Sequence, residues 1–175
     1  GGDCGNGQLN ITEPVITDTS DTGIVGPTCP TGGDLGTTIG EDIATGTNAG
    51  ATNDYIGTCS LAATTGLDVT YTWTAPNSGC FEFDLEDSDF DTSLLIVDSC
   101  ANPTELACNG DFYPQPGYQS KIEDFQAIGG QEYLIVIDGF SSSEVGTYSL
   151  DIRSCDPVII DTSDNRWRLM SLVGL

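Results

Sequence analysis

Apolar side chains recur at every second position in several short segments, and this period of two constrains the fold more than any other feature. In residues 68–75, Val69, Tyr71 and Trp73 alternate with polar or small residues. Successive side chains of a β-strand point to opposite faces of its sheet, so this spacing predicts a strand that is buried on one side. No segment combines the apolar spacing of a helix with capping residues.

Further segments have the alternation or composition of strands: residues 80–85, Thr92–Val97, 120–128, 132–137 and 146–152. Residues 132–137 are the most apolar and are expected at the centre of a sheet. Short strands separated by turn residues predict an all-β fold, an antiparallel β-sandwich. The predicted core includes Val69, Tyr71, Trp73, Phe81, Phe83, Leu94, Ile96, Leu134, Val136, Tyr148 and Leu150.

The predicted sandwich, residues 37–155, is flanked by two extended arms. Residues 1–36 are rich in Gly, Asp, Thr and Pro, and residues 156–175 are more apolar than a solvated terminus. An arm of this kind can complete the sheet of a neighbouring copy. The arm residues expected to make that contact are Ile11, Val15, Ile16, Val158, Ile159, Ile160, Trp167 and Leu169.

Charge and composition exclude several classes of function. The chain has 27 acidic and 4 basic residues, which give a formal net charge of −23, and it has no histidine. Catalytic triads that need His and His-ligated metals are therefore excluded. The negative charge repels nucleic acids and anionic lipid headgroups, and no segment is long and apolar enough to insert in a membrane. No catalytic residues are predicted, and we expect no enzymatic activity and no required cofactor.

The seven cysteines predict disulfides and an oxidising, extracellular compartment. Cys100 and Cys108 flank a short loop and are predicted to pair. Cys59 or Cys80 is expected to pair with Cys155, and the spacing does not decide between them. Because seven is odd, at least one thiol is free or pairs with another chain.

The N-terminal region adds three expectations. Cys4 and Cys29 bracket the arm and can close it into a loop. Asn10 begins an Asn-Ile-Thr triplet, which is either a glycosylation site or a chance match. The chain begins with Gly1 rather than Met, so a signal segment is expected to have been removed.

Acidic residues at alternate positions suit a calcium ion, which prefers clustered oxygen ligands. Asp87 and Asp89 are spaced in this way, and Asn109 and Asp111 lie in a second polar segment. The segment lacks the central glycine and the terminal glutamate of a helix-loop-helix calcium loop. Two interpretations stay open: a sandwich-type calcium site formed by these four residues, or a structural turn.

Six motifs together resemble the bacterial pre-peptidase C-terminal (PPC) domain. They are DVTYTWTAP (68–76), SGCFEF (78–83), SDFDTSL (88–94), ELACNGD (105–111), YLIVIDGF (133–140) and GTYSL (146–150). The resemblance implies a jelly-roll-like, secreted β-sandwich that is an accessory module and not itself catalytic. Some members of that family bind calcium or matrix polymers.

Two functions fit these observations. The first is a non-catalytic structural or adhesive protein of the cell surface, a filament subunit that binds copies of itself through its terminal arms. The second is a secreted ligand-binding module for a polysaccharide or a matrix protein, with calcium as a conceivable cofactor. The apolar arms favour the first, because a binding module can end at Cys155.

Overall fold

The computed structural model describes residues 29–59, 65–100, 102–111, 117–155, 159–161 and 168–170. Its strands are β1 (Gly33–Asp34), β2 (Gly40–Thr47), β3 (Val69–Thr74), β4 (Gly79–Asp84), β5 (Thr92–Val97), β6 (Glu105–Asn109), β7 (Lys121–Ala127), β8 (Glu132–Gly139), β9 (Thr147–Ser154), β10 (Ile159–Asp161) and β11 (Arg168–Met170).

These strands form two main sheets and a separate hairpin. The five-stranded sheet has the order β1-β3-β8-β5-β6, the four-stranded sheet has the order β2-β9-β4-β7, and β10 pairs with β11. All neighbours are antiparallel except β1 and β3, which are parallel. No helix occurs in the described residues. The predicted all-β sandwich is confirmed, and the jelly-roll path of the chain stays a prediction.

Every strand predicted within residues 68–152 is present within two residues of its expected bounds, and the most apolar one, β8, lies at the centre of its sheet. The irregular spacing of Ile122 and Phe125 has a clear cause. Phe81 pairs with Phe125 and Phe83 pairs with Ile122, so β7 has one extra residue at a β-bulge. Both apolar side chains therefore face the core although they are three residues apart.

The main core lies between the two sheets and is organised around Trp73. Its ring packs edge-to-face on Phe81 and Phe83 of the opposite sheet, at centroid distances of 5.0 and 5.3 Å. The two sheets also meet through a 2.8 Å hydrogen bond between the hydroxyls of Tyr71 and Tyr148. Aromatic pairs of this geometry add to the stabilisation that burial alone provides.

A second apolar cluster covers the outer face of the five-stranded sheet. The prediction that Leu134 and Val136 belong to the core is confirmed, and the structure places them in this second cluster. Both are buried, but they face outward and pack with Leu95, Val97 and Tyr55. The reason is the strand period, since Tyr133, Ile135 and Ile137 of the same strand occupy the inner face.

Two disulfides lie over this outer cluster, and they overturn the predicted Cys100–Cys108 bond. Cys29 is bonded to Cys100, and Cys59 to Cys108. In the β5–β6 ladder Cys108 lies opposite Leu95, whereas Cys100 lies beyond the end of β5. Cys108 lies three residue steps, about 10 Å, along β6 from its first residue, which is too far from the turn for a disulfide to Cys100.

Of the other two cysteine predictions, one is confirmed and one is excluded. Cys80 is bonded to Cys155, which confirms one of the two predicted partners. A Cys4–Cys29 bond is excluded because Cys29 is already bonded to Cys100. Cys4 itself, Asn10 and the apolar positions Ile11, Val15 and Ile16 lie outside the described residues. The three disulfides indicate a non-reducing environment.

Part of the predicted N-terminal arm belongs to the sandwich. Residues 31–36 run along the free edge of β3, where Gly32 N–H donates to Thr70 O (2.8 Å) and Leu35 N–H to Thr72 O (2.9 Å). Thr74 N–H in turn donates to Gly36 O (2.8 Å). The chain thus covers one edge of its own sheet, which removes that edge as a site of intermolecular pairing.

Among the described residues, no helix is long and apolar enough to cross a membrane.

We predict that Trp73→Ala will lower the free energy of unfolding by about 3–5 kcal/mol, because it empties the centre of the core. Urea denaturation under non-reducing conditions measures this loss. Tyr118→Ala is the control, since Tyr118 is 67% exposed and its loss should cost under about 0.5 kcal/mol. Equal losses in the two variants would contradict the described packing.

We also predict that non-reducing peptide mapping will recover three linked pairs, Cys29–Cys100, Cys59–Cys108 and Cys80–Cys155. Loss of the Cys80–Cys155 bond, which closes a long loop, should cost about 2–5 kcal/mol in a Cys80→Ser/Cys155→Ser variant. Recovery of a peptide that links Cys100 to Cys108 would contradict this connectivity.

Candidate functional site

The sandwich has an open side where the edge strands β6 and β7 lie next to each other. A groove of about 480 Å³ runs between them and is lined by both strands and by Ile128 and Tyr133. A second cavity of about 360 Å³ continues along Asn109 and Lys121 and shares Ala107 and Ile122 with the first. We call the two together the β6/β7 groove.

A β-bulge in β6 and the residue after β7 give the groove its exposed apolar side chains. In β6, Ile96 pairs with Ala107 and Val97 with Glu105, so Leu106 is the extra residue. Bulges re-aim side chains and interrupt pairing at sheet edges. Leu106 is 44% exposed and Ile128 is 60% exposed, and both line the groove. Clustered apolar side chains at an open edge are typical of an interaction surface.

The bulge of β7 supplies the acidic rim of the groove. Asp124 has a positive φ of 58°, which favours the short polar residues found in left-handed conformations. Glu123 and Asp124 are both exposed and line the groove. The walls are therefore apolar and the rim is negative.

Lys121 and Arg153 are paired with acids on the outer face of the four-stranded sheet. Lys121 Nζ lies 3.0 Å from Glu82, 3.2 Å from Asp84 and 3.5 Å from Glu86. Burial lowers the pKa of Lys121, but the hydrogen bond to Glu82 and the charge of Asp84 outweigh burial and raise it. Lys121 therefore stays charged while its charge is balanced by these acids.

Arg153 is neutralised in the same way. Its guanidinium lies 3.2 Å from Asp84 and 3.6 Å from Glu82, and it also pairs with Asp151. The surface around the groove thus keeps its negative character.

A second polar feature lies on the outer face of the five-stranded sheet, at one end of the apolar cluster. Val69 pairs with Ile137, which places Asp68 next to Asp138, and Ser93 pairs with Asp138 on the other side. We call Asp68, Asp138 and Ser93 the polar row. Their exposed fractions are 1%, 1% and 0%.

Each member of the polar row has an oxygen without a hydrogen-bond partner in the described structure: Asp68 Oδ1, Asp138 Oδ1 and Ser93 Oγ. The other oxygen of Asp68 accepts the N–H groups of Asp54 (2.7 Å) and Tyr55 (3.0 Å). Buried polar atoms normally have hydrogen-bond partners, so three unpaired oxygens in one row need a physical explanation.

Burial perturbs the ionisation of these acids. It raises the pKa of Asp138 to about 7, and the charge of Asp68 adds to the rise. Burial also raises the pKa of Asp68, against the N–H groups of Asp54 and Tyr55, which lower it. Asp91, two residues before Ser93, has its pKa raised to about 6 by burial and by the charges of Asp111 and Glu144.

The structure does not gather the carboxylates of the predicted calcium ligands. The carboxylate of Asp89 accepts the N–H and the hydroxyl of Thr147, both at 2.7 Å, and these bonds lower its pKa. Asn109 Oδ1 accepts the N–H of Lys121 (3.1 Å). Asp87 and Asp111 are exposed. Calcium binding by these residues stays a prediction.

In the described residues, one group of three acidic or cysteine side chains has its ligand atoms within 4.8 Å of one another: Cys80, Asp124 and Cys155. Two of the three are joined in a disulfide, so their sulfurs are not available as thiolate ligands.

Of the predicted assembly residues, Ile159, Ile160 and Leu169 lie in the β10–β11 hairpin. Val158 and Trp167 lie outside the described residues.

Sequence reasoning missed both the groove and the polar row. The predicted strand ends at residue 137, but β8 continues to Gly139 and so includes Asp138. One signal was present in the sequence, since Leu134, Val136 and Asp138 share the outward phase of the most apolar strand. A carboxylate at that phase is predicted to be buried once the outward face is covered.

We predict that Asp138→Asn will reduce the pH dependence of the free energy of unfolding, measured in metal-free buffer that contains a chelator. Protonated Asp138 stabilises the folded state, because its pKa of about 7 in the folded protein exceeds the ordinary 3.8. This contribution to the free energy of unfolding is complete below about pH 3.8 and is lost as the pH rises through 7. From about pH 4 to about pH 8 the variant should gain roughly 2–4 kcal/mol relative to the wild type.

Urea denaturation across this pH range measures the difference. Asp87→Asn removes the same charge from an exposed position and should follow the wild-type profile within about 0.5 kcal/mol. Parallel profiles for Asp138→Asn and the wild type would show that Asp138 does not titrate in this way.

Comparison with known proteins returned no match to a protein-family model, to a curated protein or to a solved structure. The resemblance to the PPC domain therefore stays a prediction that rests on the sequence motifs alone.

Proposed function

We propose that this protein is a non-catalytic, extracellular structural protein of the cell surface that assembles with copies of itself into filaments. In each contact, residues 165–175 of one copy dock in the β6/β7 groove of the next. The observation that carries the proposal is the groove itself, an apolar channel with an acidic rim between the edge strands of both sheets.

Charge complementarity favours residues 165–175 as the occupant. Of the four basic residues, Lys121 and Arg153 are paired within the sandwich, and Arg166 and Arg168 lie in this segment. The segment has no acidic residue and contains Trp167, Leu169, Met170, Leu172, Val173 and Leu175. Apolar side chains flanked by arginines match apolar walls flanked by Glu123 and Asp124.

The arrangement of the strands supports a contact with a neighbouring copy. β10 and β11 pair with each other and with no strand of either main sheet in the described structure. The edge of β3 is occupied by residues 31–36, so the N-terminal side of the sandwich already covers its own sheet. The same patch-to-segment contact, repeated between copies, does not close on itself and therefore builds a fibre.

An extracellular location fits the three disulfides, because such bonds persist in oxidising compartments. The alternative function is a binding module for a matrix protein, whose cationic, apolar peptide would occupy the same groove. The two proposals differ in one outcome, since a binding module does not polymerise on its own.

We predict that Ile128→Asp will reduce self-assembly at least about tenfold, because it places a charge among the apolar walls of the groove. Light scattering and negative-stain electron microscopy of the purified full chain measure assembly. Ile56→Asp is a matched control: Ile56 is 62% exposed and Ile128 60%, and Ile56 does not line the groove. Ile56→Asp should assemble like the wild type.

A charge swap identifies the occupant. Arg166→Glu/Arg168→Glu should weaken assembly, and Glu123→Arg/Asp124→Arg in the same chain should restore it, because opposite charges face each other again. A monomeric wild-type protein would contradict the filament proposal. Assembly that neither Ile128→Asp nor the arginine variant changes would contradict the groove as the contact.

A further inference from the structure

The polar row is buried within the fold and is not a chance cluster of surface acids. Asp68, Asp138 and Ser93 are each at least 99% buried, each has an oxygen without a hydrogen-bond partner, and the strand register sets them side by side on the outer face. Side chains on one face of adjacent strands have Cβ atoms about 4.5–5.5 Å apart. The carboxylate of Asp138 therefore lies between Asp68 and Ser93, within reach of both.

The chain closes tightly over this row. A Cβ atom at Gly66 would lie 2.1 Å from Asp138 Oδ1 and 2.0 Å from the carbonyl oxygen of Gly139, so only glycine fits there. Asn48 is fully buried and fastens the two segments on either side. Its amide donates to Leu67 O (3.1 Å) and Glu144 O (3.0 Å). The positions of the oxygens are thus held by the fold.

The row has two carboxylates and no cationic side chain among the described residues. Lys121 and Arg153 both lie on the other sheet, where acids surround them. Buried carboxylates are costly unless a cation balances them, and carboxylate and hydroxyl oxygens are ligands that hard cations prefer.

We propose that Asp68, Asp138 and Ser93 bind a hard divalent cation of the Ca²⁺ class. The ion is structural, and it ties the segment before β3 to the centre of the five-stranded sheet through three neighbouring strands. Waters and backbone carbonyls complete the six to eight oxygens that Ca²⁺ takes. This site is separate from the ligand set predicted from the sequence, and it does not depend on self-assembly.

The experiment measures Ca²⁺ binding to the chelator-treated full chain by isothermal titration calorimetry and thermal denaturation. Saturating Ca²⁺ should raise the melting temperature by roughly 5–10 °C at about 100 times Kd. Asp138→Asn should weaken binding more than about 100-fold, beyond the 10–100-fold typical of outer-shell partners. Its melting temperature in chelator should equal or exceed that of the wild type, because one buried charge is gone.

Ser93→Ala is a second test that preserves the fold, since Ser93 Oγ makes no hydrogen bond that the substitution would break. It should weaken binding at least about tenfold. Asp87→Asn and Asp111→Asn remove exposed acids of the sequence-predicted set and should bind like the wild type. No Ca²⁺ binding, or binding that the Asp87 and Asp111 variants abolish and Asp138→Asn does not, would overturn the proposal.

Discussion

The central strand β8 is buried on both faces, and the rest of the structure follows from that constraint. Its inner residues pack against the four-stranded sheet, while Leu134 and Val136 form a second apolar layer on the outside. A second layer needs a cover that the sandwich architecture does not supply. The chain provides it with the segment around Tyr55 and with two disulfides that fasten distant loops across the outer face. Any polar side chain at the outward phase of β8 is then buried too, as Asp138 is.

The edges of the sheets obey a different constraint. Exposed edges pair readily with other chains, and bulges interrupt such pairing in β2, β6 and β7. The bulges of β6 and β7 also redirect Leu106 and Asp124, which turns the protected side of the sandwich into a groove. The bulges weaken backbone hydrogen bonding of an added strand to these edges, and they leave a groove that side chains of another segment can enter. In the proposed contact, the partner is therefore selected by its apolar side chains and its positive charge rather than by backbone hydrogen bonds alone.

Local patterns predicted the strands that alternate or that are strongly apolar, and they missed β2 and β6, which are neither. β2 was not predicted, because only Ile43 and Ala44 are apolar in it and a register shift near Asp42 breaks the period of two. β6 was not predicted as a strand, because it is short and bulged. The Cys100–Cys108 prediction failed for a related reason. Nearness along the chain was taken for nearness in space, although a strand moves away from its turn by about 3.3 Å per residue.

Sequence alone determined the all-β class, the central place of β8 and the bond partner of Cys155 to within two choices, because alternation and composition act locally along the chain. Only the tertiary structure decided which face of each strand is covered, where the bulges re-aim side chains and which distant residues meet. Asp68, Ser93 and Asp138 are far apart in the chain, and no local pattern links them. They become one row because the register of three strands sets them side by side, and register is a property of the assembled sheet.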